Sequence, residues 1–252
     1  MLFQMMSDPS NSPPSTSQPS HKLRFECTKC GKCCQDPKTL VNLTFADIER
    51  LHRLLKLDVN GLLSILGFYV YETPPTEDQI KKMVIPPIQT EQGLAFLALK
   101  KNLDGRCVYL DDNNTCKIYD ARPDICRTFP FHFNTVPHAG AKPHLSISMS
   151  YTTKAKEYCP GIGEKAPLIN ADDWLRIGSM TVNNILAEHV LIKKYHQAIK
   201  EGKLTPSARN YLLTVLELTK AMNAPEKKKK ISYQVRLKEK LKEMEKQKQT
   251  PK

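Results

Sequence analysis

The chain contains no apolar run that is long enough to cross a bilayer. Its longest mostly apolar stretch, residues 62–70, is less than half of the roughly 20 residues that a transmembrane helix needs. A secretory signal is also missing, because the short apolar patch at residues 1–6 is followed at once by Ser and Pro. These absences predict a cytoplasmic protein without a transmembrane segment.

The signatures of several large enzyme classes are missing as well. There is no Walker A loop, no His-Glu-x-x-His motif and no Gly-x-Ser-x-Gly nucleophile turn. The pair Gly161-x-Gly163 lacks the strand–loop–helix setting of a dinucleotide or methyl-donor loop and is interpreted as a turn. No catalytic residue is assigned, and whether the protein is an enzyme stays open.

Cysteine is scarce, at about 3% of the 252 residues, which is below the density of secreted disulfide scaffolds. The cysteines are nevertheless tightly grouped. Thiolates at two-residue spacing can converge on one metal ion or cluster, and a reducing compartment favours ligands over the alternative of disulfides. All eight are therefore predicted metal ligands: Cys27, Cys30, Cys33, Cys34, Cys107, Cys116, Cys126 and Cys159.

The first group supports two interpretations. Cys27-x-x-Cys30 followed by glycine is typical of a zinc knuckle, in which a second pair elsewhere completes a tetrahedral site. Alternatively, Cys27, Cys30 and Cys33 have the spacing that holds three corners of a 4Fe–4S cluster, with Cys159 as the remote ligand before a proline. The predicted cofactor is an iron–sulfur cluster, with 4Fe–4S favoured, or zinc.

Adjacent Cys33 and Cys34 constrain how metals divide the thiolates. Neighbouring side chains of an extended loop point apart, so these two are predicted not to bind the same ion. One of them then faces a second site or is a buried free thiol. Two arrangements remain open: one four-cysteine site with spare thiols, or two metal sites that share all eight cysteines.

Helices are predicted on both sides of a β-rich middle. A capping box at residues 44–47 and apolar residues at helical spacing predict the first helix, and Thr205-Pro206 predicts the start of the last. Arg122-Pro123 predicts a short helix that carries Cys126. The four longer predicted helices cover residues 45–55, 58–70, 172–200 and 206–222.

The middle of the chain predicts short strands. Residues 94–99 form an apolar strand, and residues 129–131 and 145–149 are expected to be extended. Segments 107–110 and 116–119 flank a five-residue polar turn, which is typical of a hairpin and would bring Cys107 close to Cys116.

This order of elements predicts an α+β fold: a small metal-stabilised domain with a β-hairpin and short helices, followed by long α-helices. We divide the chain into a disordered Ser/Pro-rich leader, a cysteine-cluster metal-binding domain, a helical extension and a basic tail. Their respective ranges are residues 1–21, 22–165, 166–224 and 225–252.

The basic tail carries most of the formal net charge of +12. Residues 226–252 hold eleven Lys or Arg against four Glu, which leaves an ordinary +5 for the rest of the chain. Tyr233, Leu237, Leu241 and Met244 recur at helical spacing in this tail. It is interpreted either as a solvated extension or as a basic amphipathic helix that contacts nucleic acid or an anionic surface.

Several other residues fall beside the cysteines in the sequence. Arg122 and Arg127, near Tyr119, could lower thiolate pKa values and offset the charge of a thiolate-rich site, or they could form surface salt bridges. His132 is a candidate ligand or proton carrier, although a single histidine on a strand is more often structural.

The motifs resemble, in their order, the CxxCxxCC zinc- or iron-chelating family of YkgJ-type cysteine-cluster proteins. The resemblance covers about residues 24–163 and implies a metal-chelating domain with the cysteines as ligands. It implies little about a reaction, although flagellin lysine methylases contain a similar cysteine arrangement. The motifs that carry it are Cys27-x-x-Cys30-Gly31-x-Cys33-Cys34, Cys107-x8-Cys116-Lys-Ile-Tyr119, Arg122-Pro123-x-x-Cys126-Arg127-x-Phe-Pro130-Phe131 and Cys159-Pro160-Gly161.

The sequence therefore predicts a cytoplasmic metal-chelating protein whose reaction is unidentified and whose partner is an unidentified protein or small molecule. One alternative is a zinc-stabilised module that binds nucleic acid or protein through residues 226–252. The other is an iron–sulfur enzyme for redox or methyl-transfer chemistry.

Overall fold

The computed structural model describes residues 22–138 and 144–223. The predicted leader and the basic tail lie outside these ranges. Within them the chain forms eight α-helices, five β-strands and a 3₁₀ helix at Tyr119–Ala121. The helices are α1 Lys32–Gln35, α2 Phe45–Leu55, α3 Val59–Ile65, α4 Glu77–Lys82, α5 Asp124–Thr128, α6 Thr153–Tyr158, α7 Ala171–Lys200 and α8 Ala208–Met222. The strands are β1 Leu66–Val70, β2 Ile88–Thr90, β3 Gly93–Leu99, β4 Phe131–His138 and β5 His144–Tyr151.

The strands form two small antiparallel sheets. The first has the order β1-β3-β2, and its central strand β3 is the predicted apolar strand. The second pairs β4 with β5, so that Phe131 lies opposite Tyr151. Helices and antiparallel sheets in this order confirm the predicted α+β class, with the long helices late in the chain.

Two hydrophobic clusters are connected by α7. The larger cluster packs α2, α3 and the first sheet against the second half of α7 and against α8, where Tyr195 and Tyr211 are completely buried. The smaller cluster packs β4 and β5 against the first half of α7 through Phe131, Phe133 and Val182. Because α7 contributes to both clusters, it fixes the two sheets relative to each other.

The first predicted helix and its capping box are confirmed. The Asp47 N–H donates to the Thr44 hydroxyl, and the Thr44 N–H donates to the Asp47 carboxylate at 2.9 Å, so that α2 begins at Phe45. The long helix α7 is also confirmed, as are α5 with Cys126 and the extended segment 145–149, which lies within β5. Of the predicted extended segment 129–131, residues 129–130 form a turn and only Phe131 belongs to β4.

Three other local predictions were wrong. The second helix ends at Ile65, because residues 66–70 contain aromatic and β-branched side chains and pair with β3 as strand β1. The two hairpin segments are turns instead of strands, and they are joined by a single isolated bridge, between Leu110 and Cys116. The cap of α8 is Ser207, whose hydroxyl accepts from the Asn210 N–H, so the helix begins later than the Thr205-Pro206 signal indicates.

Across residues 22–138 and 144–223, no helix combines the length and the apolar character that crossing a membrane requires. The division into a cysteine-cluster domain and a helical extension stays a prediction.

Candidate metal centre

All eight cysteines line one cavity of about 1740 Å³. Each of them is a free thiol, so the disulfide alternative has no support in the fold. Apolar side chains form a large part of the remaining wall, among them Phe25, Phe131 and Trp174. The cavity therefore collects thiols from four separate segments of the chain in one largely apolar setting.

The N-terminal cysteine loop is shaped by a left-handed turn. Gly31 has φ of +73°, and a Cβ there would lie 2.9 Å from the Asn114 Cβ, so only glycine fits. The Gly31 carbonyl accepts from the Cys34 N–H at 2.9 Å, which starts the short helix α1. Cys33 and Cys34 thus lie on a helical turn, and not on the extended loop that the sequence prediction assumed.

Helix α1 holds Cys33 and Cys34 close together. Their Sγ atoms are 4.0 Å apart. The hydrogen bond from the Cys34 thiol is the largest of the effects, the charge of Arg122 among them, that together lower the pKa of Cys33 to about 7. The same hydrogen bond, together with burial, raises the pKa of Cys34. Cys33 is consequently the thiol of this pair that loses its proton first.

The segment around Cys159 lies against the start of the cysteine loop. The Glu26 N–H donates to the Gly161 carbonyl at 3.0 Å, and Phe25 bridges Ile162. The approach is so close that a Cβ on Gly161 would lie 2.2 Å from the Glu26 carbonyl oxygen. Cys159, the C-cap residue of α6, is thereby brought near the loop of Cys30, Cys33 and Cys27.

Backbone contacts hold Cys107 against Cys34 and join Cys116 to Leu110. The Cys107 N–H donates to the Cys34 carbonyl at 2.8 Å, and Leu110 bridges Cys116 across the polar turn. The Asp111 carboxylate stabilises this turn by accepting from the Asn113 and Thr115 N–H groups. The predicted proximity of Cys107 and Cys116 therefore follows from turns, without regular strands.

Cys126 is positioned by a buried ionic network between α2 and α5. The Asp124 N–H donates to Asp47 at 2.8 Å, and Arg50 pairs with both carboxylates at 3.0 and 2.8 Å. The Asn184 amide on α7 donates to Asp124 at 2.7 Å. Because α5 is fixed from two sides, Cys126 has a defined place in the cavity wall.

Burial and repulsion between neighbouring thiolates raise the pKa values of several cysteines, and Cys33 contributes to that repulsion at each of them. Burial and then the neighbouring thiolates of Cys30, Cys33 and Cys27 raise the pKa of Cys159. Burial raises the pKa of Cys126 as well, and the thiolates of Cys33, Cys107 and Cys116 raise it further.

Cys107 shows the same pattern. Burial, followed by Cys116 and Cys33 among the thiolates, raises the pKa of Cys107. Thiols that are buried and mutually repelling become thiolates readily only when a cation is close to them, so this donor set fits a thiophilic metal.

No three Cys, His, Asp or Glu side chains of the described ranges are assembled tightly enough to hold one metal ion. The thiols instead surround the cavity. Zinc and iron–sulfur clusters both take thiolate ligands, so the donor chemistry suits either.

His132 lines the same cavity, but its ring nitrogens have other contacts. Nε2 lies 3.1 Å from the Asn134 amide oxygen, and Nδ1 lies 3.2 Å from the Ser150 hydroxyl. Burial lowers its pKa. His132 on β4 therefore has a structural role, because its ring contacts Asn134 on the same strand and Ser150 on β5.

Sequence reasoning missed a polar cluster around Asp36, which contributes Thr39, Lys101 and Lys154 to the cavity wall. Lys154 on α6 donates to the Asp36 carboxylate at 2.6 Å and also contacts Thr39, while Lys101 donates to the Asp36 carbonyl. Burial alone would raise the pKa of Asp36, but the hydrogen bonds from Lys154 and Thr39 lower it to about 2. Asp36 lies two residues after Cys34, and this adjacency is the signal that could have identified it.

The fold and the cysteine-lined cavity define a metal-chelating cysteine-cluster protein. The chain belongs to the CxxCxxCC family, whose model is described as a "Putative zinc- or iron-chelating domain" and matches residues 26–160, more than half of the chain. The matched range contains all eight cysteines.

The chain is also similar to a protein of Methanocaldococcus jannaschii named "Uncharacterized protein MJ0661". The two are 26% identical over 141 residues, which are 56% of this chain and 59% of the relative. The chain thus matches about three fifths of the length of this curated relative. No solved structure matches the chain.

Proposed function

We propose that the protein binds metal at two adjacent four-thiolate centres and that the favoured cofactor is the 4Fe–4S cluster. The observation that supports this proposal is the arrangement of the eight cysteines around one cavity, with the Sγ atoms of Cys33 and Cys34 4.0 Å apart. If the protein had only one four-cysteine site, the presence of the other four cysteines around the same cavity would have no explanation.

The first proposed centre is held by Cys27, Cys30, Cys33 and Cys159. The backbone hydrogen bond between Glu26 and Gly161 supports it, because it brings the two ends of this ligand set together. The second proposed centre is held by Cys34, Cys107, Cys116 and Cys126. The hydrogen bond from Cys107 to the Cys34 carbonyl supports this second set.

Two features favour iron–sulfur clusters over zinc. The ligand order of the first centre, with two-residue spacing and a cysteine before Pro160, is the ferredoxin-type order. The cavity also has a volume of about 1740 Å³, far more than two single ions need. A bound 4Fe–4S cluster supplies one-electron redox chemistry. Burial raises the pKa of Cys116, and the positive charge of the Arg122 guanidinium opposes that shift. The same charge contributes to the lowered pKa of Cys33, so Arg122 favours thiolate ligands in both proposed centres.

A reducing compartment such as the cytoplasm fits this chemistry, because eight free thiols in one cavity would otherwise be oxidised. Nucleic-acid binding through residues 226–252 stays a prediction, since that segment lies outside the described residues.

The test is to purify the protein without oxygen and to measure iron, acid-labile sulfide and zinc per chain beside the visible absorption spectrum. Two 4Fe–4S clusters require about eight iron and eight sulfide per chain and a brown colour that bleaches on reduction. About two zinc ions in a colourless protein would retain the two centres but reject the cluster. A protein with substoichiometric amounts of both metals would reject the whole proposal.

A further inference from the structure

A second concave site lies beside the cysteine cavity and has a different chemistry. Its volume is about 370 Å³, and four of its lining side chains are arginines from three elements. We call it the arginine pocket. Besides Asp120, its lining residues are Arg50, Arg53, Leu54, Tyr119, Arg122 and Arg127.

Arg50 forms the floor of the arginine pocket and is fully engaged by the protein. Its guanidinium pairs with Asp47 and Asp124 and donates to the Arg122 carbonyl at 2.7 Å. Its side chain is only 14% exposed. Arg50 therefore builds the pocket and does not need an external anion.

The other three arginines have weaker internal partners. Arg53 is 61% exposed and contacts Glu49 only through Nε, at 3.3 Å. Arg127 is 39% exposed, and its Nη1 atom lies 3.9 Å from Asp124 Oδ1. The same oxygen already pairs with Arg50. No carboxylate of the described residues lies within ion-pair distance of Arg122. Asp120 is the single acidic side chain that lines the pocket, beside four arginines, so the net charge of the pocket lining is positive.

One wall of the arginine pocket is apolar and partly open to solvent. Tyr119 is 40% exposed and Leu54 is 45% exposed. The Arg122 guanidinium lies 3.6 Å from the centre of the Tyr119 ring, which fixes its plane before any ligand arrives. The pocket thus offers oriented guanidinium donors next to an aromatic and an aliphatic surface.

We propose that the arginine pocket binds a phosphorylated small molecule. Its phosphate would lie among Arg53, Arg122 and Arg127, and its organic part against Tyr119 and Leu54. Planar guanidinium groups match phosphate oxygens bidentately, and three of them suit the three free oxygens of a phosphate monoester. The pocket volume is at the lower end of the range for small-molecule sites, about 300–1000 Å³. A nucleic-acid site would instead need a row of Lys or Arg side chains that contact successive phosphates.

The ligand would lie directly beside the proposed metal centres. Tyr119, Arg122 and Arg127 line both the arginine pocket and the cysteine cavity. The proposal depends on the pocket and not on the identity of the metal, and its test measures binding without any reaction. Failure of ligand binding would therefore leave the metal content, and with it the proposed function, unaffected.

The experiment is isothermal titration calorimetry of the full chain, purified without oxygen, with AMP, inorganic phosphate and adenosine at low ionic strength. We expect saturable binding of AMP and none of adenosine. Tighter binding of AMP than of phosphate would identify a phosphate ester as the ligand, and equal binding would identify free phosphate. Arg53→Gln should weaken binding about tenfold or more, because it removes a charge-assisted hydrogen bond. Arg53→Glu should abolish it.

Arg176→Gln is the matched control, because Arg176 is 69% exposed and pairs with Asp173 on a helix surface, much as Arg53 does with Glu49. It should bind AMP like the wild type, and all variants should keep the wild-type metal content. Absence of binding by both AMP and phosphate up to about 10 mM would overturn the proposal, as would equal affinities of Arg53→Gln and Arg176→Gln. An oligonucleotide that binds much more tightly than AMP through Arg53 would overturn the small-molecule assignment.

Discussion

At the scale of single residues, Glu188 connects three helices through one buried carboxylate. It lies on α7 and has no exposed surface. One oxygen accepts from the Phe45 N–H at the start of α2 at 2.6 Å, and the other accepts from the Tyr211 hydroxyl on α8. Burial raises the pKa of Glu188 to about 7, and repulsion from Asp47 contributes.

This pKa makes the stability of the fold depend on pH. The folded value of about 7 lies above the ordinary value of 4.5, so the folded state holds the proton more tightly than the unfolded chain does. The stabilisation from Glu188 is present in full below pH 4.5 and is lost as the pH rises through about 7. Between pH 5 and pH 8, we expect the free energy of unfolding of the wild type to fall by on the order of 2 kcal/mol more than that of Glu188→Gln.

Urea denaturation of the variant and the wild type at both pH values measures this difference. Glu217→Gln, which changes an exposed glutamate on α8, is the control and should keep the wild-type pH dependence. Identical pH dependence of Glu188→Gln and the wild type would show that Glu188 does not titrate in this range.

At the scale of elements, the start of α2 supports the metal centre from a distance. Its capping residue Asp47 also accepts from the Asp124 N–H, so the same turn that begins α2 holds the helix that carries Cys126. We expect Thr44→Ala to lower the free energy of unfolding by about 1–2 kcal/mol, because it removes a buried N-cap.

Chemical denaturation measures that loss at constant pH. Thr214→Ala is the matched control, since its hydroxyl donates to the Asn210 carbonyl within α8 and alanine is a better helix former. It should change the stability very little. If both variants lost the same stability, the capping box of α2 would not contribute as the geometry indicates.

The elements that the sequence predicted well are those with local signals. The capping box at Thr44 and the periodic apolar residues of α7 are readable from a few neighbouring positions. Strand β1 was predicted as helix because its conformation depends on β3, about 30 residues further along the chain, and a single apolar run does not distinguish the two.

The candidate site shows the same limit. Spacing identified the eight cysteines, but it left open which of them lie together. That depends on contacts such as the one between Glu26 and Gly161, which are more than 100 residues apart. Arg53 was missed entirely, because only the fold brings α2 beside Arg122.

At the scale of the whole molecule, the cysteine segments belong to parts of the chain that pack in different hydrophobic clusters. Cys107 belongs to the larger hydrophobic cluster, while Cys159 follows α6 near the smaller one. Two metal centres that meet at Cys33 and Cys34 would therefore join both clusters. A single centre with spare thiols would not distinguish the two groups of cysteines in this way.

Two single substitutions separate these arrangements. Cys159→Ser removes a ligand of the first proposed centre only, and Cys116→Ser removes a ligand of the second only. With two centres, each variant should keep about half of the bound metal, and the double variant should keep almost none. Elemental analysis of the proteins purified without oxygen measures this, and Asn113→Ser, an exposed position in the same turn as Cys116, controls for damage to that turn. If either single variant lost all of its metal while remaining folded, the eight thiolates would act as one interdependent site, and the division at Cys33 and Cys34 would be wrong.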